Sequence, residues 1–244
     1  MDLPGIGTVI NVISVILGGI IGILFGKLLN EDRRESLTKA CGVSVLFIGI
    51  SGTLEKMISV NTDGTVSIKG GMLIVISLAL GAFIGEIINI EGLFQRFGGW
   101  LKRKTGSGND EGFIDAFVTA SFTVCIGAMA IVGAIEDGIE SDPSVLITKS
   151  ILDFITVAVM ACSLGKGSIF SAIPVAVFQG SITALAFIIK PIMTESALLD
   201  LSLVGNTLIF CVGVNLVWGK KIRVANFLPA VIIAVIYSFL PIQL

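Results

Sequence analysis

The sequence predicts an all-α fold, a polytopic transmembrane bundle of seven to eight helices, and three observations lead to it. Of the 244 residues, 54% are hydrophobic and only 14% are charged, whereas a soluble domain carries about 25% charged residues. Apolar runs of about twenty residues, the length that crosses the hydrocarbon core of a bilayer, recur along the chain. The basic residues also gather in alternate loops, as they do in membrane proteins.

The apolar runs divide one membrane domain, residues 1–244, into eight spans. They are predicted at residues 5–29, 40–60, 71–90, 112–135, 145–164, 169–189, 197–218 and 225–240. The count falls to seven if the fifth run is re-entrant or the eighth lies in the membrane interface. Between the second and third runs, the turn residues Thr62, Asp63 and Gly64 predict a hairpin-like reversal of the chain.

The longest polar segment, residues 91–111, is predicted to be a cytoplasmic basic loop. Its first half places apolar residues at helical spacing beside basic ones, which is typical of an amphipathic helix lying in the membrane interface. The apolar residues are Leu93, Phe94, Phe97, Trp100 and Leu101, and the basic residues are Arg96, Lys102, Arg103 and Lys104.

The orientation of the chain follows from the distribution of basic residues. With the N-terminus outside, twelve lie on the inner face: Lys27, Arg33, Arg34, Lys39, Arg96, Lys102, Arg103, Lys104, Lys166, Lys220, Lys221 and Arg223. Four lie on the outer face: Lys56, Lys69, Lys149 and Lys190. Because basic residues are enriched on the cytoplasmic side, both termini are predicted to be extracytoplasmic.

An internal repeat of two spans is also predicted. Residues 13–22 (ISVILGGIIG) align with residues 76–85 (ISLALGAFIG), with identities at Ile13, Ser14, Gly18, Ile21 and Gly22 among others. Further on, GTLEKMI at 52–58 resembles GAIEDGI at 133–139. Repeats of two spans run in the same direction through the membrane, so they imply a pseudo-symmetry axis along the membrane normal.

Acidic residues mark the outer end of the fourth span. Glu136 and Asp137 directly follow an apolar run, and Glu55 holds the place in the repeat that corresponds to Glu136. Carboxylates at an aqueous mouth raise the local concentration of cations, so these three are candidates for an outer vestibule. The alternative is a solvated loop that anchors the helix ends.

Polar side chains inside the spans are the second set of candidates for an ion or solute pathway. Lys149 and Asp153 are four residues apart and share a helix face, and ionisable residues within a membrane usually mark a functional path. The alternative is a structural pair that holds helices in register. Asn11 and Gln179 are candidate neutral ligands, or hydrogen-bonding residues between helices.

Pro174 and the glycines describe where helices break or pack. Pro174, with Gly180 nearby, predicts an interruption of the sixth span, which is tolerated where a helix lines a cavity. Small residues spaced by four allow close helix contact, so they predict tight helix packing or a subunit interface of a homo-oligomer, with a dimer favoured. These glycines are Gly18, Gly22, Gly26, Gly81 and Gly85.

Composition argues against several other functions. The chain has no His and its four Cys lie inside apolar runs without metal-ligand spacing, so no metal site, cofactor or enzyme activity is expected. A net charge of −2 gives no reason to expect nucleic acid as a partner.

Four motifs together resemble one known family. They are GAMAIVGAIEDGI, LITKSILDFI, SAIPVAVFQG and KKIRVANFLPAV. The whole chain resembles the prokaryotic membrane family named domain of unknown function 554. The resemblance implies a multi-pass protein of the prokaryotic plasma membrane, and it implies no substrate or reaction.

Two functions are compatible with these features. The first is a transporter or channel for a small solute or ion, with cations favoured by the acidic outer face. The second is a membrane scaffold or signalling partner that does not transport and acts through the basic loop, residues 91–111, on anionic lipid or a cytoplasmic protein. A continuous polar path through the fold favours transport, and a dry interior packed through glycine favours the scaffold.

Overall fold

The computed structural model describes residues 4–60, 64–108, 110–125 and 128–240, and within them the regular secondary structure is helical apart from one short hairpin. The helices are α1 (Ile6–Gly26), α2 (Glu31–Met57), α3 (Gly71–Ile88), α4 (Ile90–Lys104), α5 (Phe113–Cys125), α6 (Ala128–Ile139), α7 (Ser144–Leu164), α8 (Ala172–Ala184), α9 (Ala186–Ile189), α10 (Glu195–Trp218) and α11 (Pro229–Tyr237). Two 3₁₀ segments, Lys166–Ser171 and Val224–Phe227, precede α8 and α11. The predicted all-α membrane bundle is confirmed.

The hairpin follows helix α2. Strands β1 (Ile58–Val60) and β2 (Val66–Ile68) pair antiparallel, with Ile58 opposite Ile68. Of the predicted turn, Thr62 and Asp63 lie outside the described residues, and Gly64 follows with a positive φ of 81°.

The number of spans is smaller by length and composition than the eight predicted. Six helical stretches of the described residues are long and apolar enough to cross a membrane, and a seventh results if α5 and α6 form one span bent by 63°. The bend falls inside the predicted fourth span, of which residues 126–127 lie outside the described ranges. The predicted eighth span corresponds to the short apolar stretch Val224–Tyr237. Eight spans therefore require both the bent pair and this short stretch to cross, and that count stays a prediction.

The chain divides into two units. The first comprises Met1–Cys41 and Leu93–Pro191, and the second comprises Gly42–Gly92 and Ile192–Leu244. Helices α2 and α4 each contribute to both units.

In the first unit, α1 lies directly against α7. A Cβ atom on Gly18 would overlap the backbone carbonyl of Phe154, and one on Gly22 would overlap that of Ala158. Glycine is therefore required along this face of α1, because any side chain would push the two helices apart.

The second unit repeats this use of glycine. Gly81 and Gly85 of α3 lie against Ala230 of α11 and against the Asn226 carbonyl in the 3₁₀ segment before it. Its apolar core contains Leu73 of α3, with Val204 of α10 and residues of α11.

Both units also share an order of elements. In the first, α7 ends at Gly165 with φ 104°, a 3₁₀ segment follows, and Pro174 lies in the first turn of α8. In the second, α10 ends at Gly219 with φ 77°, and a 3₁₀ segment leads to Pro229 at the start of α11. Proline is tolerated at these positions because the first helical turn has no intrahelical partner for its amides. The two-span repeat stays a prediction.

Replacing Gly22 by Ala tests the close contact of α1 with α7. We expect Gly22→Ala to lower the free energy of unfolding by about 1–3 kcal/mol, because an added methyl group at a packed site forces the backbones apart. Unfolding is measured by circular dichroism during titration of the detergent-solubilised protein with sodium dodecyl sulfate.

The matched control is the same substitution at Gly180, where an added Cβ has no neighbour within 4 Å. Gly180→Ala should leave stability unchanged or raise it by up to about 1 kcal/mol, because Ala favours a helix over Gly. Equal effects of the two substitutions would contradict the packing role of Gly22.

Candidate functional site

Four polar side chains from three helices of the first unit converge in one buried cluster. They are Asn11 of α1, Lys149 and Asp153 of α7, and Gln179 of α8, and we call them the polar cluster. The Asn11 side-chain amide donates to Asp153 Oδ2 at 3.0 Å and to Gln179 Oε1 at 3.1 Å. Asp153 is 6% exposed and Lys149 is 7% exposed. The site that the sequence suggested as separate residues is therefore a single connected group.

Lys149 binds two oxygens. Its ammonium Nζ donates to Asp153 Oδ2 at 2.5 Å and to the backbone carbonyl of Val124 at 2.7 Å. Val124 lies next to the end of α5, and the last four carbonyls of a helix have no intrahelical donor. The ammonium thus neutralises a buried carboxylate and also satisfies a carbonyl at the end of α5.

Local sequence explains why these groups meet. The glycines of α1 bring its backbone against α7, which places Asn11, two turns before Gly18, within reach of Asp153. Lys149 and Asp153 are four residues apart, so the helix period points both side chains to one side. Gln179 comes from α8, which also packs against α1 in this unit.

Two polar atoms of the polar cluster have no hydrogen-bond partner among the described residues. They are Asn11 Oδ1 and Gln179 Nε2. The Asp153 carboxylate requires a donor from Asn11, and that amide then requires an acceptor from Gln179, so both amide orientations are fixed. The cluster is left with one buried acceptor and one buried donor, each of which costs about 1–3 kcal/mol when unsatisfied. A small polar ligand or water would satisfy them.

A second set of polar contacts lies one turn away, toward the N-terminus of α1. The carboxylate of Asp137, which is fully buried, accepts from the backbone amides of Gly7 and Thr8 at 3.2 Å each. The Thr8 and Thr183 hydroxyls are 3.2 Å apart. Asp137 therefore caps α1, where a negative charge complements the helix dipole, and polar groups continue from this end of α1 to the polar cluster.

An apolar layer closes the other side of the polar cluster. Val15 and Val157 lie one turn after Asn11 and Asp153, and Val175 lies one turn before Gln179 on α8, which runs in the opposite direction. Each of the three valines is fully buried. Val124 and Ala172 complete this group, which we call the valine layer. The polar cluster is thus bordered by hydrogen-bonding groups on one side and by apolar side chains on the other.

The polar cluster lies at membrane depth. Asn11 is roughly 8 Å along α1 from Ile6, and Asp153 is roughly 14 Å along α7 from Ser144, at 1.5 Å per residue. The hydrocarbon core of a bilayer is about 30 Å thick. An ion pair at this depth is costly in lipid, which is why such residues face protein or water.

The other predicted residues have different surroundings. Glu136 is partly exposed, and its repeat counterpart Glu55 lies in the second unit, exposed and paired with Lys56 at 2.7 Å. Pro174 lies just after the 3₁₀ segment, and α8 continues unbroken through Gly180. The interruption of the sixth run therefore lies before Pro174, where 3₁₀ geometry changes to α. Gly26 faces Cys162, again on α7.

Sequence reasoning missed several groups of this site. Thr8, Thr183, the Val124 carbonyl and the valine layer were not singled out. Helix periodicity carried a signal for two of them, since Thr8 lies three residues before Asn11 and Thr183 four residues after Gln179. Among the described residues, no group of three or more His, Cys, Asp and Glu could hold a metal ion.

Long apolar helices around a buried polar cluster define a polytopic membrane protein. The chain belongs to the family described as Protein of unknown function (DUF554), whose family model matches residues 6–239. The resemblance seen in the sequence motifs is thereby confirmed.

Two relatives cover nearly the whole chain. It is 33% identical over 233 residues to "Uncharacterized protein YqgA" of Escherichia coli (strain K12), across 94% of each chain. It is 29% identical over 233 residues to "Uncharacterized membrane protein YdfK" of Bacillus subtilis (strain 168), across 96% of this chain and 95% of the relative. No solved structure matches the chain.

A double-mutant cycle tests the Lys149–Asp153 pair. Asp153→Leu alone should destabilise the protein by about 3–5 kcal/mol, because it leaves Lys149 as an uncompensated buried charge. Adding Lys149→Met should recover much of that loss, since a buried ion pair is often replaceable by apolar residues of similar volume. Titration with sodium dodecyl sulfate gives the free energy of unfolding of all four proteins: the wild type, the two single variants and the double variant.

The control cycle uses Glu35 and Lys39 of α2, an exposed pair with the same spacing and an N···O distance of 2.7 Å. Its coupling energy should stay below about 0.5 kcal/mol. Additive effects at Lys149 and Asp153 would refute the buried pair.

Proposed function

We propose that the protein is a membrane transport protein for a small ion or solute, with cations favoured, and that it carries out no chemical catalysis. The observation that supports this proposal is the convergence of Asn11, Lys149, Asp153 and Gln179 in one buried, incompletely hydrogen-bonded cluster. A merely structural cluster would be expected to satisfy all its polar groups. A binding site that a ligand completes leaves some of them open.

The assignment of roles follows from charge. Asp153 is the ligand that would contact a cation, and Asn11 Oδ1 supplies a neutral oxygen in the same cluster. Gln179 Oε1 accepts from the Asn11 amide and so fixes its orientation. The polar groups at Thr8, Thr183 and Asp137 would form the approach, with Glu136 nearer the solvent. In this scheme Asp137 acts mainly through the α1 terminus, because its carboxylate is already engaged by two backbone amides.

The valine layer gives the proposed pathway a closed side. Apolar constrictions exclude water and ions when narrow, so they act as gates. A transporter that opens to one side at a time needs such a barrier beyond its binding site. The structure described here would then correspond to a state that is closed on the side of the valine layer.

We also propose that the protein lies in the plasma membrane of a prokaryote with both termini outside, and that it forms a homo-oligomer, with a dimer favoured. The basic residues on the predicted inner face support this orientation. Many apolar side chains of α1, α2 and α3 are exposed in the single chain, Phe25, Phe47 and Phe83 among them, and lipid or a second copy would cover them.

A membrane scaffold that does not transport is the second candidate, and α4 favours it. Leu93, Phe97 and Trp100 are exposed on this helix beside Arg96 and Arg103. An exposed apolar face next to basic residues suits an anionic lipid surface. This candidate predicts that the polar cluster is dispensable for function.

Flux measurements in proteoliposomes test the transport proposal. Wild-type protein should move at least one member of a panel of Li⁺, Na⁺, K⁺ and Rb⁺ faster than protein-free liposomes. Asp153→Asn should lower that flux about tenfold or more, because losing one charge-assisted contact of about 1.5 kcal/mol changes an affinity by about that factor.

The matched control is Glu35→Gln, which removes an exposed carboxylate with an exposed partner, Lys39, and should leave the flux within about twofold of wild type. Monodisperse gel filtration and a retained helical circular-dichroism spectrum establish that each variant is folded. Wild-type flux at the level of empty liposomes across the panel would overturn the proposal, as would equal activity of Asp153→Asn and wild type.

The valine layer gives a second functional prediction. Val175→Ser should raise the passive leak of cations through the reconstituted protein, because a hydroxyl group wets an apolar constriction. Val177→Ser is the control, since Val177 is on the same helix with its side chain 66% exposed. An unchanged leak in a folded Val175→Ser variant would show that the valine layer is not the barrier.

A further inference from the structure

The Asp153 carboxylate accepts hydrogen bonds from one positively charged group, Lys149, and one neutral amide, Asn11. It is almost completely buried, and a carboxylate within a membrane needs one compensating positive charge. Asn11 contacts it as a neutral donor, and Gln179 contacts only Asn11. Lys149 is therefore the group that supplies the compensating positive charge in the described cluster. The net charge of the cluster is zero.

The surroundings of the Lys149 ammonium are those of a bound cation. Its two oxygens are a main-chain carbonyl at 2.7 Å and a carboxylate at 2.5 Å. Asn11 Oδ1 is a further buried oxygen of the cluster without a partner among the described residues. Carbonyl, carboxylate and amide oxygens are the groups that replace the hydration shell of a monovalent cation. Lys149 thus places a tethered cation among the oxygens that would hold a free one.

These oxygens and the Lys149 ammonium suggest how cation movement is coupled to proton movement. We infer that a permeant monovalent cation replaces the Lys149 ammonium as the partner of Asp153, so that the protein exchanges one cation for one proton. This inference rests on the proposed transport function and names its substrate class and its coupling ion.

The exchange balances in atoms and charge. An N–H bond of the Lys149 ammonium breaks, the nitrogen keeps the electron pair, and the proton passes to water as hydronium. One monovalent cation then binds Asp153 and the Val124 carbonyl, and the site stays neutral. Two positive charges cannot share the site, because like charges at contact distance repel strongly in a medium of low dielectric constant. Cation binding and protonation of Lys149 are therefore mutually exclusive.

The titratable groups around Lys149 are few in the described cluster. Asp153 lies on its own helix, and the Cys125 thiol of α5 is near enough to interact electrostatically with both members of the pair. The side chains that α1 and α8 contribute to the polar cluster, Asn11 and Gln179, are both neutral. Asp137 of α6 is engaged by the Gly7 and Thr8 amides. The exchange thus concerns one carboxylate and one amine.

Proteoliposomes that enclose a pH-sensitive dye test the inference. Addition of the transported cation outside should make the interior more alkaline, with one proton leaving per cation entering, and the exchange should carry no net current. Lys149→Arg keeps the charge and the pairing with Asp153, and an Arg side chain does not lose its proton in proteins. This variant should fold and should lose both fluxes by about tenfold or more, because a guanidinium group stays charged.

Lys149→Met removes the tethered cation. It should still move the cation, now as a net current that is independent of the pH gradient. Lys39→Met, which removes an exposed ammonium paired with Glu35, should behave like wild type. If Lys149→Met does not fold, the wild-type stoichiometry and the Lys149→Arg variant still decide the question.

The outcomes separate the inference from the proposed function. Wild-type cation flux without proton movement, or undiminished exchange by Lys149→Arg, overturns the exchange and leaves transport standing. A wild-type protein that moves no cation in the panel overturns both. Stoichiometric exchange that Lys149→Arg abolishes supports both.

Discussion

The buried carboxylate of Asp153 is the constraint on which the packing around it in the first unit depends. Nothing in a bilayer core solvates a charge, so an acid at this position survives only with a positive partner and with donors around it. Lys149 on the next turn provides the charge, and Asn11 on α1 provides the donor. Each of these requires another feature in turn. Asn11 reaches α7 only because the glycines after it let the two backbones touch, and Lys149 is completed by the end of α5.

The polar groups around this pair are distributed unevenly along the axes of the helices. Hydroxyl groups and the capped end of α1 lie to one side, and the valine layer lies to the other. A pair of charges inserted only to fix helix register would need neither feature. The same asymmetry is what a site reached from one side requires, and it agrees with the acidic residues at that end of α6 and in the loop that follows.

Much of this arrangement could be predicted from the sequence, because charges and amides stand out in apolar runs and helix period places Lys149 with Asp153. Asn11 and Gln179 can be recognised as candidates on the same ground, since both are amides within predicted spans. The partners could not be predicted, because a backbone carbonyl such as that of Val124 carries no sequence signal. Glu55 and Glu136, which correspond in the predicted repeat, lie in different units, and local sequence similarity does not report such long-range packing. The bend between α5 and α6 could not be predicted either, because an apolar run has the same composition whether its helix is straight or bent.

The glycine face of α1 has one more consequence, which concerns motion. Two helices whose backbones touch along three turns cannot slide or tilt past each other without collision, so α1 and α7 form one close-packed pair. Gly138 of α6 lies in the same way against the Thr183 carbonyl of α8, so α6 and the end of α8 form a second close-packed pair. Between the two pairs, the polar contacts are the Asp137 cap, the two threonine hydroxyls and the Asn11–Gln179 hydrogen bond. Apolar contacts lie beside them, such as that of Gly133 with Leu146. Backbone contact thus holds each pair together internally, whereas a row of hydrogen bonds between the pairs leads from the start of α1 to the buried acid.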